Sequence, residues 1–348
     1  MIKCLQKAVL ATALLFFCFT SYSQDIHFSQ YNASPLLLNP ALAGMNEGDY
    51  RAYANFRTQW MTVAAGNTYR TFAGGADMSI GKMTKRNSFA GIGISFFSDQ
   101  AGEVNLNSNH VDVTFAYHFM LNRKGTMQLS AGLQGGFNCK SINPSKAIFD
   151  SEYDPNTGGI DQNGIRETFG TTKVMYADAG LGLMYSVITR KDANFYFGFA
   201  LNHVNQPKVS FQVNGSDNVS EKLPIKITLH GGAAIPLSNR IAVMPNFMVL
   251  QQGTSWEFDL GCALRTILGN QKLSRTAIYF GAQYRGLLDA VIVNGRIDIK
   301  GVTCGLSYDV NISKLIPSSK TVGAPEVSLM YQGSFRKKPH PGHCPVMF

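Results

Sequence analysis

Apolar and polar residues alternate in run after run of this chain. In 110–119, Val111, Val113, Phe115, Tyr117 and Phe119 interleave with His110, Asp112, Thr114, Ala116 and His118. In 302–312, Val302, Cys304, Leu306, Tyr308, Val310 and Ile312 interleave with Thr303, Gly305, Ser307, Asp309 and Asn311. In 326–335, Val327, Leu329, Tyr331 and Phe335 interleave with Glu326, Ser328, Gln332 and Ser334. A period of two places each set on its own face of a strand. Fourteen such runs are read at 50–62, 67–80, 88–98, 108–120, 125–138, 173–187, 193–204, 224–235, 240–251, 255–267, 275–285, 289–298, 300–312 and 324–335. That pattern predicts an all-β fold, a transmembrane outer-membrane barrel of antiparallel strands with an apolar outside and a wet inside.

An even strand count returns the last strand to the rim where the first began, expected to be the periplasmic one. Short turns at 81–87, 121–124, 189–192, 236–239, 268–274 and near Ile299 then alternate with outer connections, of which 139–172, 205–223 and 313–323 are long. The 139–172 connection is acidic (Asp150, Glu152, Asp154, Asp161) and reads as a solvated loop or as a contact surface for a partner.

Parity also assigns the interior. Arg51, Tyr53, Asn55, Arg57 and Gln59 share one face of the first strand, with Phe56 and Trp60 on the other. Glu257, Asp259 and Arg265 oppose Trp256, Phe258, Leu260 and Leu264, and Asn294, Arg296 and Asp298 oppose Val291, Val293 and Ile297. Charges of both signs inside a narrow lumen are expected to pair, since an unpaired buried charge is costly. Such pairs rigidify the wall or line a conducting path.

The N-terminus changes the picture of location. Lys3 and Lys7 precede an apolar core, Ala8–Phe19, and then Ser21-Tyr22-Ser23. This order is that of a secretory signal peptide, expected to be cleaved after Ser23, and its core is too short to span a membrane as a helix. Phe17 before Cys18 lacks the small residue a lipidation site requires. A mean hydropathy of -0.04 argues against a helical membrane protein and suits strands that bury alternate residues. Charged residues make up only 15%, and many of the 34 glycines fall inside strand-like runs, where a curved wall needs them. The net charge of +9 falls to +7 without Lys3 and Lys7. Export argues against a nucleic-acid partner, so the excess is assigned to lumen and turn residues. Of the cysteines past the signal, Cys262 and Cys304 fall on the lipid-facing parity, and no disulfide follows from the spacing of Cys139, Cys262, Cys304 and Cys344.

No catalytic motif is present: H-E-x-x-H, G-x-S-x-G and G-x-x-x-x-G-K-[ST] are all absent, so no enzyme activity and no cofactor are expected. His340, His343 and Cys344 stand close together but among prolines and without a fourth ligand, so no metal site is assigned. The segment 24–49 is apolar around Phe28, Tyr31 and Leu36–Leu38, yet Pro35, Pro40 and Gly44 forbid one long helix. It is expected to be buried, as an N-terminal plug or a lid at the periplasmic mouth. The organisation is then a signal peptide 1–23, the segment 24–49, a barrel 50–335 and a periplasmic tail 336–348.

Phe28-Ser29-Gln30-Tyr31, Asn39-Pro40-Ala41 with Ala43-Gly44, and Arg57-x-Gln59-Trp60 resemble the opening signature of the PorP/SprF family of Bacteroidota outer-membrane proteins. Gly305-Leu306-Ser307-Tyr308-Asp309-Val310-Asn311, Glu326-Val327-Ser328-Leu329 and the terminal Cys344-Pro345 resemble its closing part. Relatives often end Cys-Pro-Arg-aromatic, whereas Val346-Met347-Phe348 follow here. The resemblance implies a non-enzymatic barrel of the type IX secretion system. Its implied partners are the outer membrane, other secretion components, a secreted cargo protein such as a large adhesin (gliding-related in some relatives) and a periplasmic or peptidoglycan-linked protein. Phe28, Tyr31, Asn39, Pro40, Gly44, Arg57, Gln59 and Trp60 are the implied plug or interaction residues. Arg336, Lys337 and Lys338, with Cys344 and Pro345, form a basic tail suited to periplasmic docking. The alternative is a plugged transport barrel for small or hydrophobic solutes.

Overall fold

β1 (Tyr50–Gln59) pairs antiparallel with both β2 (Tyr69–Ile80) and β16 (Ala324–Gly333), and that double pairing closes a sheet of fourteen strands on itself. The other strands are β3 (Ser88–Ala101), β4 (Leu106–Met120), β5 (Met127–Ser141), β8 (Lys173–Ile188), β9 (Asn194–Asn202), β10 (Lys226–Pro236), β11 (Ile241–Gln252), β12 (Ser255–Leu268), β13 (Thr276–Arg285), β14 (Ala290–Ile299) and β15 (Val302–Asn311). A two-stranded ribbon, β6 (Tyr153–Asp154) with β7 (Gly159–Ile160), belongs to the long connection between β5 and β8. The computed structural model describes residues 25–60, 68–82, 88–102, 104–143, 145, 153–154, 159–160, 172–189, 192–209, 211, 221–268, 276–286, 289–313, 316 and 321–335. The expected signal peptide, most of the acidic connection, and Arg336, Lys337, Lys338, Cys344 and Pro345 lie outside the described residues.

All neighbours in the wall are next to each other in sequence, apart from the inserted ribbon and the closure, so the barrel is an up-and-down meander. Both wall ends meet at one rim: the Asp49 amide donates to the Gly333 carbonyl at 2.8 Å. This turn rim carries the tight connections, such as Lys300-Gly301, where both residues have positive φ (50° and 93°). The opposite, loop rim carries the long ones, although 102–105, 253–254 and 286–289 are as short as turns there.

Three strands run further toward the loop rim than the apolar alternation indicates. Ser98–Ala101 of β3 pair with Leu106–Asn109 of β4, and β5 continues to Ser141. Apart from Ala101, Leu106 and Cys139 these extensions are polar, so the period-two signal fades while backbone pairing continues. Conversely β1 ends at Gln59 rather than running to 62, because Trp60 turns to φ 57°.

Burial follows the parity. Arg51, Tyr53, Asn55 and Arg57 are buried and Phe56 is exposed; His110, Asp112, Thr114, Ala116 and His118 are buried and the residues between them exposed. The outward face is continuously apolar, with Phe137 71%, Phe280 66%, Val113 63% and Leu306 62% exposed. A soluble protein rarely shows an apolar patch above a few hundred Å², whereas a lipid-embedded barrel requires a belt of this kind. Aromatic rings gather at both ends of the belt. Tyr50 lies 6.0 Å from Tyr331 and 5.1 Å from Phe335 at the turn rim, and Trp60 packs edge-on to Tyr69 at 5.1 Å at the loop rim. Cys262 and Cys304 are on the outward face as expected. No helix among the described residues is long and apolar enough to cross a membrane.

Candidate functional site

Residues 25–49 form an irregular segment of short turns: a 3₁₀ turn at Tyr31–Ala33, one helical turn at Pro35–Leu38 and a second 3₁₀ turn at Pro40–Leu42. Pro35 and Pro40 each stand at the first position of a turn, where no backbone N–H is needed. Its hydrogen bonds reach inward-facing groups on strands all around the wall, from β2 and β4 to β11, β15 and β16. Only a segment inside the barrel can do so. It runs from the loop rim, at Asp25, to the turn rim, at Asp49.

At the loop-rim end, the Asp25 amide donates to Gln252 Oε1 (2.8 Å) and its carboxylate lies 2.5 Å from His203 Nε2 and 3.3 Å from Lys226 Nζ. His203, just past the end of β9, also has Asp178 2.8 Å from its Nδ1. Burial by itself would lower the His203 pKa, but the Asp25 and Asp178 carboxylates outweigh it and push the ring up to about 9. Burial likewise opposes the charge on Asp25, yet Lys226 and His203 hold that carboxyl well below its usual range.

A second cluster surrounds Ser29. Its hydroxyl donates to Asp309 Oδ2 (2.7 Å) and accepts from Arg57 Nη1 (2.8 Å) and Arg285 Nη2 (2.9 Å). Both guanidiniums also reach the Asp309 carboxylate, at 2.9 and 3.1 Å. Arg285 pairs with Glu257 and Asp259 at 3.5 and 3.4 Å. The Glu326 carboxylate accepts the amides of Ser29 (2.8 Å) and Gln30 (3.0 Å) and the Asn55 side chain (2.9 Å). The segment thus adds a hydroxyl and two backbone amides to an ion-pair network built from wall residues.

Midway, Asn39 caps the second 3₁₀ turn, its Oδ1 accepting the Ala41 amide at 2.9 Å, while its Nδ2 donates to the Leu183 carbonyl at 3.0 Å and to His230 Nε2 at 3.1 Å. The wall makes room with Gly132 and Gly182, which face each other across β5 and β8. A Cβ on either would strike the backbone at Pro40–Ala41. Tyr31 donates its hydroxyl to Asn246 (2.8 Å) and packs with Leu38, Leu42, Met184, Tyr196 and Met248.

Near the turn rim, Arg51 grips Asp77 through Nε (2.8 Å) and Nη2 (3.1 Å) and donates to the Leu42 carbonyl (3.1 Å). The Gly44 amide donates to the same Asp77 (2.7 Å). Gly44 has φ 74° and sits against Gly91 of β3, where a Cβ on either residue would collide. His118 Nε2 lies 2.8 Å from the Ala43 carbonyl. A carbonyl only accepts, so that nitrogen carries the proton and Nδ1 faces Ser130 at 2.7 Å as acceptor.

The structure therefore gathers Phe28, Tyr31, Asn39, Pro40, Gly44, Arg51, Arg57, Glu257 and Asp259 around one segment. It places others elsewhere. Gln59 and Trp60 stand at the loop rim beside Tyr69. Arg265 lies opposite Tyr279 on β13, and Arg296 stacks 3.7 Å over that same ring while reaching Asp298 at 3.3 Å. Strand parity puts His118, Asp309 and Glu326 on the inner face without marking them as partners, and does not single out Asp77, Arg285 or His230; Ser29, in the irregular segment, has no strand parity to read. For the strand residues the inward parity is readable, but the groups they meet are not.

Among the described residues no group of three or more His, Cys, Asp or Glu side chains is arranged to hold a metal. The model of type IX secretion system membrane protein PorP/SprF matches residues 20–331. No curated protein matches the chain. Among solved structures, the CymD monoaromatic hydrocarbon channel is 12% identical with a TM-score of 0.48, over 87% of this chain and 93% of that one. A Pseudomonas aeruginosa FadL homologue is 8% identical with a TM-score of 0.48, over 84% and 92%. The translocator domain of the autotransporter NalP from Neisseria meningitidis is 12% identical with a TM-score of 0.39, over 82% and 89%.

Proposed function

Because the chain belongs to the PorP/SprF family of type IX secretion system membrane proteins, we propose that it supports the secretion or surface attachment of particular cargo proteins, large adhesins among them, as a closed accessory and not as a conduit. The observation that carries this reading is the segment 25–49. It is bonded to the wall at the loop rim through Asp25, in the middle through Ser29 and Asn39, and at the turn rim through Gly44. A path for solute or unfolded protein would first have to break all of these contacts. On this reading the segment is a permanent plug, the loop rim meets cargo, and the basic tail at Arg336, Lys337 and Lys338 docks a periplasmic component.

The test is deletion of the gene in its native host, followed by comparison of surface and medium proteomes. Loss of one or a few large secreted proteins supports the proposal and names the cargo. Loss of every substrate of the system would make the protein a core component. An unchanged secretome with altered nutrient uptake would overturn the proposal in favour of a transport barrel. Replacing Arg336, Lys337 and Lys338 with glutamate is expected to leave the barrel folded and abolish partner co-purification; retained co-purification would remove the docking role.

A further inference from the structure

On the loop-rim side of the lumen, a cavity of about 70 Å³ lies between the first turns of the N-terminal segment and the inward faces of β3, β4, β8, β10 and β11. Its floor is apolar, built from Phe28, Leu38, Phe97 and Met248. His110 stacks on Phe97 at 4.2 Å and closes one wall. Two of the carboxylates at this end already have cations: Asp25 faces Lys226 and His203, and Asp178 faces the other nitrogen of His203. Those charges balance.

Asp112 differs. It lines the cavity, is only 6% exposed, and has neither an ion pair nor a hydrogen bond among the described residues. Its carboxylate lies over Gly136, where a Cβ would strike Oδ1. Ser34 Oγ, Asn202 Oδ1 and Asp178 Oδ1, on residues lining the same cavity, are also buried and have no hydrogen-bond partner among the described residues. A buried acceptor without a donor costs about 1–3 kcal/mol, and an uncompensated charge costs more. The cavity therefore pairs an apolar floor with unmet acceptors and one buried carboxyl group that has no partner among the described residues.

We infer that this cavity binds a small primary amine with an apolar body, of the arylalkyl- or short alkylammonium class. The ammonium donates to Asp112 and the acceptors beside it, and its hydrocarbon rests on Phe28, Phe97 and Met248. Three N–H donors on one centre can serve Asp112 and more than one of the unmet acceptors on residues lining the same cavity. The space equals roughly five water sites, which limits the body to a single ring or a short chain. The inference stands on the cavity alone and is independent of the secretion role.

Benzylammonium, benzyl alcohol and toluene are to be titrated into the purified full-length barrel in nonionic detergent, with binding read by calorimetry and saturation-transfer NMR. Saturable benzylammonium binding, at least about tenfold tighter than that of benzyl alcohol, is expected. Asp112→Asn is expected to weaken it by a similar factor, and Asp192→Asn, at an exposed turn on the other rim, to leave it unchanged. Equal binding of amine and alcohol to the wild-type protein, no saturable amine binding, or full retention in a folded Asp112→Asn barrel would each overturn the assignment. The amine-to-alcohol ratio needs no variant, so it decides the matter even where Asp112→Asn does not assemble.

Discussion

The Ser29 hydroxyl donates to the Asp309 carboxylate at 2.7 Å, across a separation of 280 positions. Both groups are buried, and Arg57 and Arg285 bridge them. The lumen segment is therefore tied into the hydrogen bonding of the barrel's own ion-pair network. Taking it out would leave the direct Arg57–Asp309 and Arg285–Asp309 pairs in place but remove the hydroxyl that both guanidiniums donate to and that donates to the carboxylate.

The Arg57–Asp309 pair should behave as a buried pair in which each member depends on the other. Arg57→Leu alone is expected to destabilise the barrel by about 3–5 kcal/mol, because Asp309 and Glu326 lose a compensating charge. Arg57→Leu combined with Asp309→Leu should cost clearly less than the sum of the two single changes. Urea unfolding of the refolded barrel in detergent measures this cycle, and strict additivity would mean that the pair contributes nothing.

Gly182 is a seat for the segment. In Gly182→Val the new side chain meets Asn39 and the Ala41 amide. The expected result is a barrel whose segment is displaced, read as rapid maleimide labelling of a cysteine placed at the fully buried Leu42. The same cysteine in an otherwise native barrel should label slowly. Equal rates in both would show that the wall yields and the segment stays.

The loop-rim end of the segment should loosen at high pH. The folded pKa of His203, about 9, lies above its usual 6.5, so its contribution is fully present below about 6.5 and is lost as pH rises through about 9. Asp25 is shifted down, so its contribution is present above the usual carboxylate range and is lost as pH falls below it. The contact is thus strongest between these limits. The ring shifts of His203, followed by NMR, should titrate near pH 9, and a midpoint at or below 6.5 would contradict the ion-pair geometry. His203→Gln should flatten the alkaline limb.

The two rims predict opposite accessibility in intact cells. A cysteine at Gln206, in the β9–β10 connection, should react with a membrane-impermeant maleimide, while one at Arg123, in the β4–β5 turn, should not. Both positions are exposed, so burial cannot account for a difference between them. The reverse pattern would invert the barrel in the membrane.

The wall was legible because strand parity is local. Each pleat sends consecutive side chains to opposite faces, so Arg51, Arg57, Glu257 and Asp259 could be placed inside from a few neighbouring residues. The strand ends of β3 and β5 were less legible, since polar residues on both faces erase the alternation while backbone pairing goes on. Gln59 and Trp60 share a sequence signature with Arg57, yet the chain turns at Trp60 and leaves them at the rim. Proximity in a motif did not translate into proximity in the lumen.

The sequence by itself determined a closed, fourteen-strand barrel, its apolar exterior and an N-terminal segment too apolar and too broken by proline to be a free helix. Only the tertiary structure decided where that segment runs and what it touches. Ser29 meets Asp309, Asn39 meets His230 and Gly44 meets Asp77 because closure sets strands from all around the ring against one threaded chain. Which inward groups stand at the same height is fixed by the register accumulated over every strand pair, and that sum cannot be read from any local period.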